Sequence, residues 1–375
     1  MALTPMTLTA RLIKHEHPNA KVVFIGPCAA KKLEAMRKSV RSEVDFVLTF
    51  EEMAGILGEF SGQMEQAADV TETLVPAVRA AFRKRRIALE DMLVLKYGDG
   101  RREAFLTART GNGRCVTVKD MAALFGQAVG AEFIPARNGK TLVTRKSSMV
   151  RLIEKGSYRI LFGCAKTPKE GEEVSGDNYM FRNTLPGQVA LSLSDGMGSG
   201  PAAGADSEQV MELAEQLLDT GFSARSTLKL INTVLLLNGM GDRPATMDLG
   251  LVNLYTGVLE MMKLGAAASF LLPDRRGGGE AEVLESETVP AGVLNPVEPV
   301  MISRKLWDGD KIIMVSDGVL DAMPGVEKEK AFREFLDGLP DAGVQETAEM
   351  ILTFALSFEG EPRDDMTVLV GGIYG

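Results

Sequence analysis

Three acidic sites lie at separated points of this 375-residue chain, each beside a glycine or a turn. Asp195 closes the run "QVALSLSDG" directly before Gly196. The pattern returns in "IIMVSDGVLDA", where Ser316, Asp317 and Gly318 copy Ser194, Asp195 and Gly196. "PRDDMTVLV" then sets Asp364 and Asp365 at the entrance to a final apolar run. Carboxylates at three strand ends, each beside a glycine or a turn, are the oxygen donors that a hard divalent cation requires. A glycine next to the ligand lets a backbone carbonyl turn toward a cation with no Cβ in the way. Taken singly, Asp-Gly and Asp-Asp pairs are ordinary turn residues; their threefold recurrence is what points to a shared centre. His15 and His17 are the two histidines, so zinc–histidine and Ser-His chemistry are excluded from the half that holds these aspartates.

The glycines of "LSLSDGMGSGPAAG" (191–204) invite a phosphate-loop reading that fails. Pro201 stands where a dinucleotide fingerprint needs glycine or alanine, and no Lys-Ser or Lys-Thr closes the loop. The elements around the aspartates follow from periodicity. Amphipathic helices are expected over 207–220 and 224–238, closed by Gly221 and Gly239, and another over 343–357. Strand-like runs lie between them, including "ATMDLGLVNLYTG" and the long "VLEMMKLGAAASFLLP". Asp248 reads either as a turn or as a strand-end residue. Such a series predicts stacked antiparallel sheets covered by helices.

The front is built differently. A helix over 6–16, strands at 21–27 and 44–49, and helical spacing after each strand predict part of a parallel α/β domain. Residues 61–157 read as a connecting α/β module, with a hairpin turn at Gly98-Asp99-Gly100 and a helix over 118–129. Five basic residues between Arg79 and Arg86 read as a solvated helix face or tether. Charge divides along the same line. Residues 1–160 hold 26 Lys+Arg and 17 Asp+Glu, net +9, whereas residues 161–375 hold 16 and 34, net −18. An acidic C-terminal half argues against a nucleic-acid partner. The longest apolar runs fall short of a membrane span and no secretion signal is visible, so a cytoplasmic protein is expected. Cys28, Cys115 and Cys164 form neither a disulfide framework nor a zinc pattern.

Taken in order, "VSGDNYM…LSLSDGMGSG…ATMDLGLVNL…MVSDGVLDA…RDDMTVLV" resembles the PPM (type 2C) metal-dependent Ser/Thr protein phosphatases, most closely their sporulation stage II protein E branch, over residues 158–375. The resemblance implies a C-terminal α-β-β-α sandwich and two Mn²⁺ or Mg²⁺ ions. Asp195, Asp317 and Asp364 would be the catalytic metal ligands, with the Gly196 carbonyl, and Asp177 would hold water beside the metals. Asp365 would position Asp364 or bind metal itself. The substrate implied is a phosphoserine or phosphothreonine protein of bacterial signalling, such as an anti-sigma-factor antagonist. Helices 207–220 and 224–238 would be a switch, and a homodimer through them or through 61–157 is a further expectation. The arginine that holds substrate phosphate in animal members has no matching motif here. The other reading is a non-catalytic PPM-like regulatory module of a hydrogenase-related redox protein.

A second resemblance covers the front: "KVVFIGPCAAKKLEA…VDFVLTFEEM" (21–53) looks like the iron-only hydrogenase large subunit, with Cys28 as an iron–sulfur ligand. That family needs three further cysteines in two motifs absent from this chain, so no cluster is expected in this chain alone. The expected organisation is therefore a multidomain α/β and α+β chain: a hydrogenase-like fragment at 1–60, the connecting module at 61–157, and the phosphatase domain at 158–375.

Overall fold

The computed structural model describes residues 5–18, 20, 22–26, 35, 43–49, 53, 67–98, 100–111, 115–136, 139–196, 198–237, 244–285, 288–294, 297–359 and 361–375. Cys28, and most of the helical segments expected after each front strand, lie outside the described residues. Helix α1 (Pro5–Glu16) is followed by strands β1 (Val23–Gly26) and β2 (Phe46–Thr49). The two strands pair in parallel, Val23 opposite Phe46. Asp45 ties this piece together by accepting from Lys14 Nζ at 2.9 Å and from Val22 N at 2.6 Å.

The next elements are β3 (Ala68–Asp69), α2 (Thr71–Lys84), β4 (Ile87–Lys96), β5 (Arg102–Thr110), β6 (Val116–Thr117), α3 (Val118–Val129), β7 (Phe133–Pro135), β8 (Leu142–Val143) and β9 (Ser148–Glu154). One antiparallel sheet runs β3-β4-β5-β9-β7, and β6 pairs separately with β8. Thr117 caps α3 by accepting from Asp120 N, and Gly130 closes it in the left-handed conformation. Phe82 of α2 and Phe125 of α3 are buried with Val94, Leu106 and Leu152 of the sheet, in a core of this region's own. Asp99, the centre of the expected hairpin turn, lies outside the described residues, although β4 and β5 do pair antiparallel.

The remaining chain carries β10 (Arg159–Thr167), β11 (Asp177–Asn183), β12 (Gln188–Asp195), α4 (Gly200–Asp219), α5 (Ala224–Leu237), β13 (Met247–Asn253), β14 (Val258–Leu264), β15 (Ser269–Leu272), β16 (Glu282–Leu284), β17 (Val300–Lys305), β18 (Lys311–Val315), α6 (Asp317–Asp321), α7 (Lys328–Gly338), α8 (Val344–Glu359) and β19 (Met366–Tyr374). Two five-stranded antiparallel sheets result, β11-β12-β13-β14-β17 and β10-β19-β18-β15-β16. Leu191 and Met261 of the first meet Met314 and Leu369 of the second in one apolar cluster. Ala190, adjacent to Leu191, joins Ala214 and Leu228 of α4 and α5 instead. Phe332 and Ile351 of α7 and α8 pack on Ile313 and Val368. Central strands such as β12 are thus apolar on both faces, which is why "VALSL" shows little alternation.

Two boundaries differ from expectation. Helix α4 begins at Gly200, seven residues before the expected start, because Pro201 suits a first helical turn and Gly204 lies so close to Ser175 O that an added Cβ would stand 3.0 Å away. The run 258–273 is two strands in different sheets. Gly265 makes the break at φ +61°, where an added Cβ would sit 2.5 Å from Pro290. Among the described residues no helix is long and apolar enough to cross a membrane.

Candidate metal centre

Asp177 opens β11 and Asp195 ends β12, and antiparallel pairing sets the two directly opposite each other. Thr246 fixes the backbone of Asp195 from the neighbouring chain: its Oγ1 accepts from Asp195 N at 3.0 Å, and its N donates to Asp195 O at 3.1 Å. Ser194 Oγ donates to Thr246 O at 2.7 Å, closing the clamp. Gly196 follows, and a Cβ there would stand 2.4 Å from Ala203 O, so a side chain would push the first turn of α4 off the strand end. That turn is sewn to β11 by Asn178 Nδ2, which donates to Gly204 O at 2.7 Å and Ser207 Oγ at 2.8 Å.

The second sheet supplies the other two aspartates. Asp317 opens α6 immediately after β18, and Asp364 lies just ahead of β19. Ser316 joins these ends: its N donates to Thr367 O at 3.0 Å, and its Oγ accepts from Thr367 N at 2.9 Å. A Cβ on Gly318 would stand 2.3 Å from Asp365 O, so only glycine permits this approach.

Four carboxylates from four chain segments therefore sense one another. Burial first, then the charges of Asp177, Asp317 and Asp364, push Asp195 up to about 9. Asp177, fully enclosed at 0% exposure, is pushed up to about 6, chiefly by burial. Thr367 and Ser316 face its carboxylate and oppose the rise, as does the charge of Lys166, while Asp365 adds to it. Neither hydroxyl makes a well-formed bond, because both Asp177 Oδ atoms are buried without a hydrogen-bond partner among the described residues. Asp317 keeps a face open to solvent, yet crowding by protein atoms, ahead of repulsion from Asp364, raises it too.

Ionised carboxylates gathered without counter-charge are unfavourable, and a hard cation relieves them by supplying charge and accepting oxygen donors. The orphaned Oδ atoms of Asp177 and the oxygen-only donor set fit such an ion. Among the described residues, no three acidic, histidine or cysteine side chains close into a ready-made ligand set. The aspartates are gathered rather than drawn onto one point, as mutual repulsion dictates.

Two other aspartates have separate roles. Asp365 accepts from Lys169 N at 2.9 Å and Gly176 N at 2.7 Å, so it anchors the loop leading to Asp177. Asp248 is neither a turn nor a strand-end residue. It lies within β13 at 1% exposure, paired with the wholly buried Lys263, and Lys263 Nζ also donates to Ser269 Oγ at 2.8 Å. Lys166, Thr246 and Thr367 escaped the sequence reading. Lys166 Nζ donates to the main-chain O of Asp177, a contact across strands that no local motif announces. Cys28 lies outside the described residues, while Cys115 and Cys164 are free thiols.

Residues 186–373 match the family described as Stage II sporulation protein E (SpoIIE), and residues 1–87 match the iron only hydrogenase large subunit, C-terminal domain. The Stage II sporulation protein E of Bacillus subtilis is 30% identical over 216 residues, covering 57% of this chain and 26% of that protein. Its Priestia megaterium counterpart is 28% identical over 244 residues, covering 62% and 41%. The chain thus spans well under half the length of these curated relatives. At the front, 58 residues are 40% identical to the cytosolic Fe-S cluster assembly factor NAR1 of Kluyveromyces lactis, 16% of this chain and 12% of that one. A solved structure of the PP2C phosphatase domain and a fragment of the regulatory domain of SpoIIE from Bacillus subtilis shares the fold. Its TM-score is 0.61 at 23% identity, over 92% of this chain and 98% of that one. The matched segment reaches from β12 to β19 and takes in Asp195, Asp317 and Asp364; the chain belongs to the Stage II sporulation protein E family.

Proposed function

We propose that this chain is a Mn²⁺- or Mg²⁺-dependent phosphatase of phosphoserine or phosphothreonine proteins, housed in an α-β-β-α sandwich over 158–375 and preceded by a connecting module at 61–157 and a hydrogenase-like fragment at 1–60. The observation that carries it is the convergence of Asp177, Asp195, Asp317 and Asp364 from four segments at neighbouring strand ends. Asp195, Asp317, Asp364 and the Gly196 carbonyl would hold two ions, and Asp177 would accept a hydrogen bond from water beside them. When bound, such ions offset the charge of a phosphate monoester and lower the pKa of water. The chain's own part is placement. Thr246 holds Asp195, Ser316 holds the Asp317 and Asp364 segments together, Asp365 holds the approach to Asp177, and Lys166 adds positive charge beside it. The partner is a phosphoprotein of bacterial signalling, of the anti-sigma-factor antagonist kind, met in the cytoplasm; a homodimer through α4 and α5 or through 61–157 is part of the same reading.

Hydrolysis of p-nitrophenyl phosphate and of a phosphoserine peptide with Mn²⁺, compared with chelator, Asp195→Asn and Asp364→Asn, tests it. Activity should require metal and both aspartates. Activity that survives either substitution overturns the ligand assignment, and metal binding without hydrolysis of any phosphopeptide favours the regulatory-module reading.

A further inference from the structure

Away from the aspartates, the middle region concentrates the opposite charge. Two adjoining cavities, of about 420 and 680 Å³, share a wall made by Arg86, Ile87, Thr110 and Gly111. The smaller, between β4 and α3, has a mixed lining: Ile87, Val116, Ala123 and Leu124 are apolar, and Arg85, Thr110, Asp120 and Gln127 are polar. The larger is lined by Arg79, Arg83, Arg86 and Arg109. Arg109 is paired with Glu90 at 2.7 Å, but Arg79, Arg83, Arg85 and Arg86 have no ion-pair partner among the described residues.

Helix chemistry accounts for only part of this. Basic residues in a last turn interact favourably with the helix dipole, which covers Arg83 and its neighbours. Arg79 lies a full turn earlier, and like charges at i and i+4 repel. Arg86 is stranger still, because it holds a positive φ of +59°, a conformation non-glycine residues adopt only under constraint. Its N donates to Arg83 O at 3.0 Å and its O accepts from Gly111 N at 3.2 Å, which places Arg86 on the wall common to both cavities.

Guanidinium groups suit phosphate because their paired donors match its oxygens. The smaller cavity is of the size of a small-molecule pocket, and its mixture of apolar and polar side chains suits a heterocycle that packs by its face and hydrogen-bonds by its edge. We infer that this region binds a nucleotide, with the phosphates at Arg79, Arg83 and Arg86 and the base between β4 and α3. Asp120 and Gln127 offer hydrogen-bonding groups to the edge of a base. An acidic peptide would satisfy the arginines but leave the smaller cavity, with Leu124 and Val116 on its wall, unfilled. The inference stands apart from the phosphatase reading.

Calorimetric titration of the full chain in chelator tests it, with ATP, GTP, tripolyphosphate, adenosine and guanosine as probes. At least one nucleotide should saturate a single site, tripolyphosphate should bind at least tenfold more weakly, and the nucleosides weaker still. Arg79→Ala and Arg83→Ala should each weaken the nucleotide at least tenfold. Arg86→Gly should do the same while melting at an equal or higher temperature, since glycine accepts the positive φ. Leu124→Gln should weaken the nucleotide but leave tripolyphosphate unchanged. Absence of saturable binding, equal affinity for tripolyphosphate and nucleotides, or indifference to the arginine substitutions overturns the inference.

Discussion

Asp177 and Asp248 lie in one sheet, on β11 and β13, and both are nearly sealed from solvent, at 0% and 1% exposure. Asp248 has Lys263 across the strand pair and Ser269 beside it. Asp177 has no hydrogen bond on its carboxylate among the described residues; Lys166 bonds its main-chain O instead, and Asp195 and Asp365 add negative charge nearby. The same residue type at the same burial thus serves two ends. A charge neutralised inside the chain is architecture, whereas charge left over at a strand end is capacity for something from outside.

The sharpest way to break this comparison is to strip Asp248 of its partner. Lys263→Met should destabilise the fold by about 3–5 kcal/mol in urea denaturation, because an unpaired carboxylate is left in the interior. Adding Asp248→Leu should recover most of that loss, and a double variant as unstable as the single one would refute the pairing account. On the proposed reading, Asp195→Asn should lower phosphatase activity at least about 100-fold, more than loss of groups that merely orient metal ligands, without lowering the melting temperature. Gly196→Ala comes next, at about 1–3 kcal/mol of destabilisation, since its Cβ would meet the Ala203 carbonyl and no flexible side chain can yield.

The smallest effect is a pH trend in metal-free protein. Asp177 and Asp195 are raised to about 6 and about 9, above their unfolded values, so the folded state binds more protons between about pH 4 and pH 9. Stability should then be greatest at the acidic end and decline as pH rises through that window. A melting temperature that drops by a few degrees from pH 5 to pH 9, and a flatter profile in Asp195→Asn, is the expected record. Saturating Mn²⁺ should abolish the decline.

The two concentrations of like charge also differ in how openly the sequence displays them. The arginines fall within one helix and its exit, and a run from Arg79 to Arg86 is visible at once. Reading that run as a solvated face omitted Ile87, Thr110 and Leu124, which the fold brings against it. The aspartates are scattered over nearly 190 positions, from 177 to 364, yet three are legible because Asp195 and Asp317 each follow an apolar run and precede a glycine, and Asp364 stands in a turn before one. Helix boundaries are less legible: Gly200 and Gly204 lie ahead of the expected helix, but Pro201 and the close approach of Gly204 to Ser175 place both in the first turns of α4.

By itself the sequence determined the alternation of strands and helices, the division of charge between the halves, and which carboxylates stand at strand ends, because periodicity and turn chemistry act over a few neighbouring residues. Only the tertiary structure decided that Asp248 is neutralised and Asp177 is not, that Thr246 and Ser316 grip the aspartate segments, and that Lys166 reaches Asp177. Those outcomes depend on register across strands and on contact between two sheets, and a one-residue shift in pairing would have reversed them.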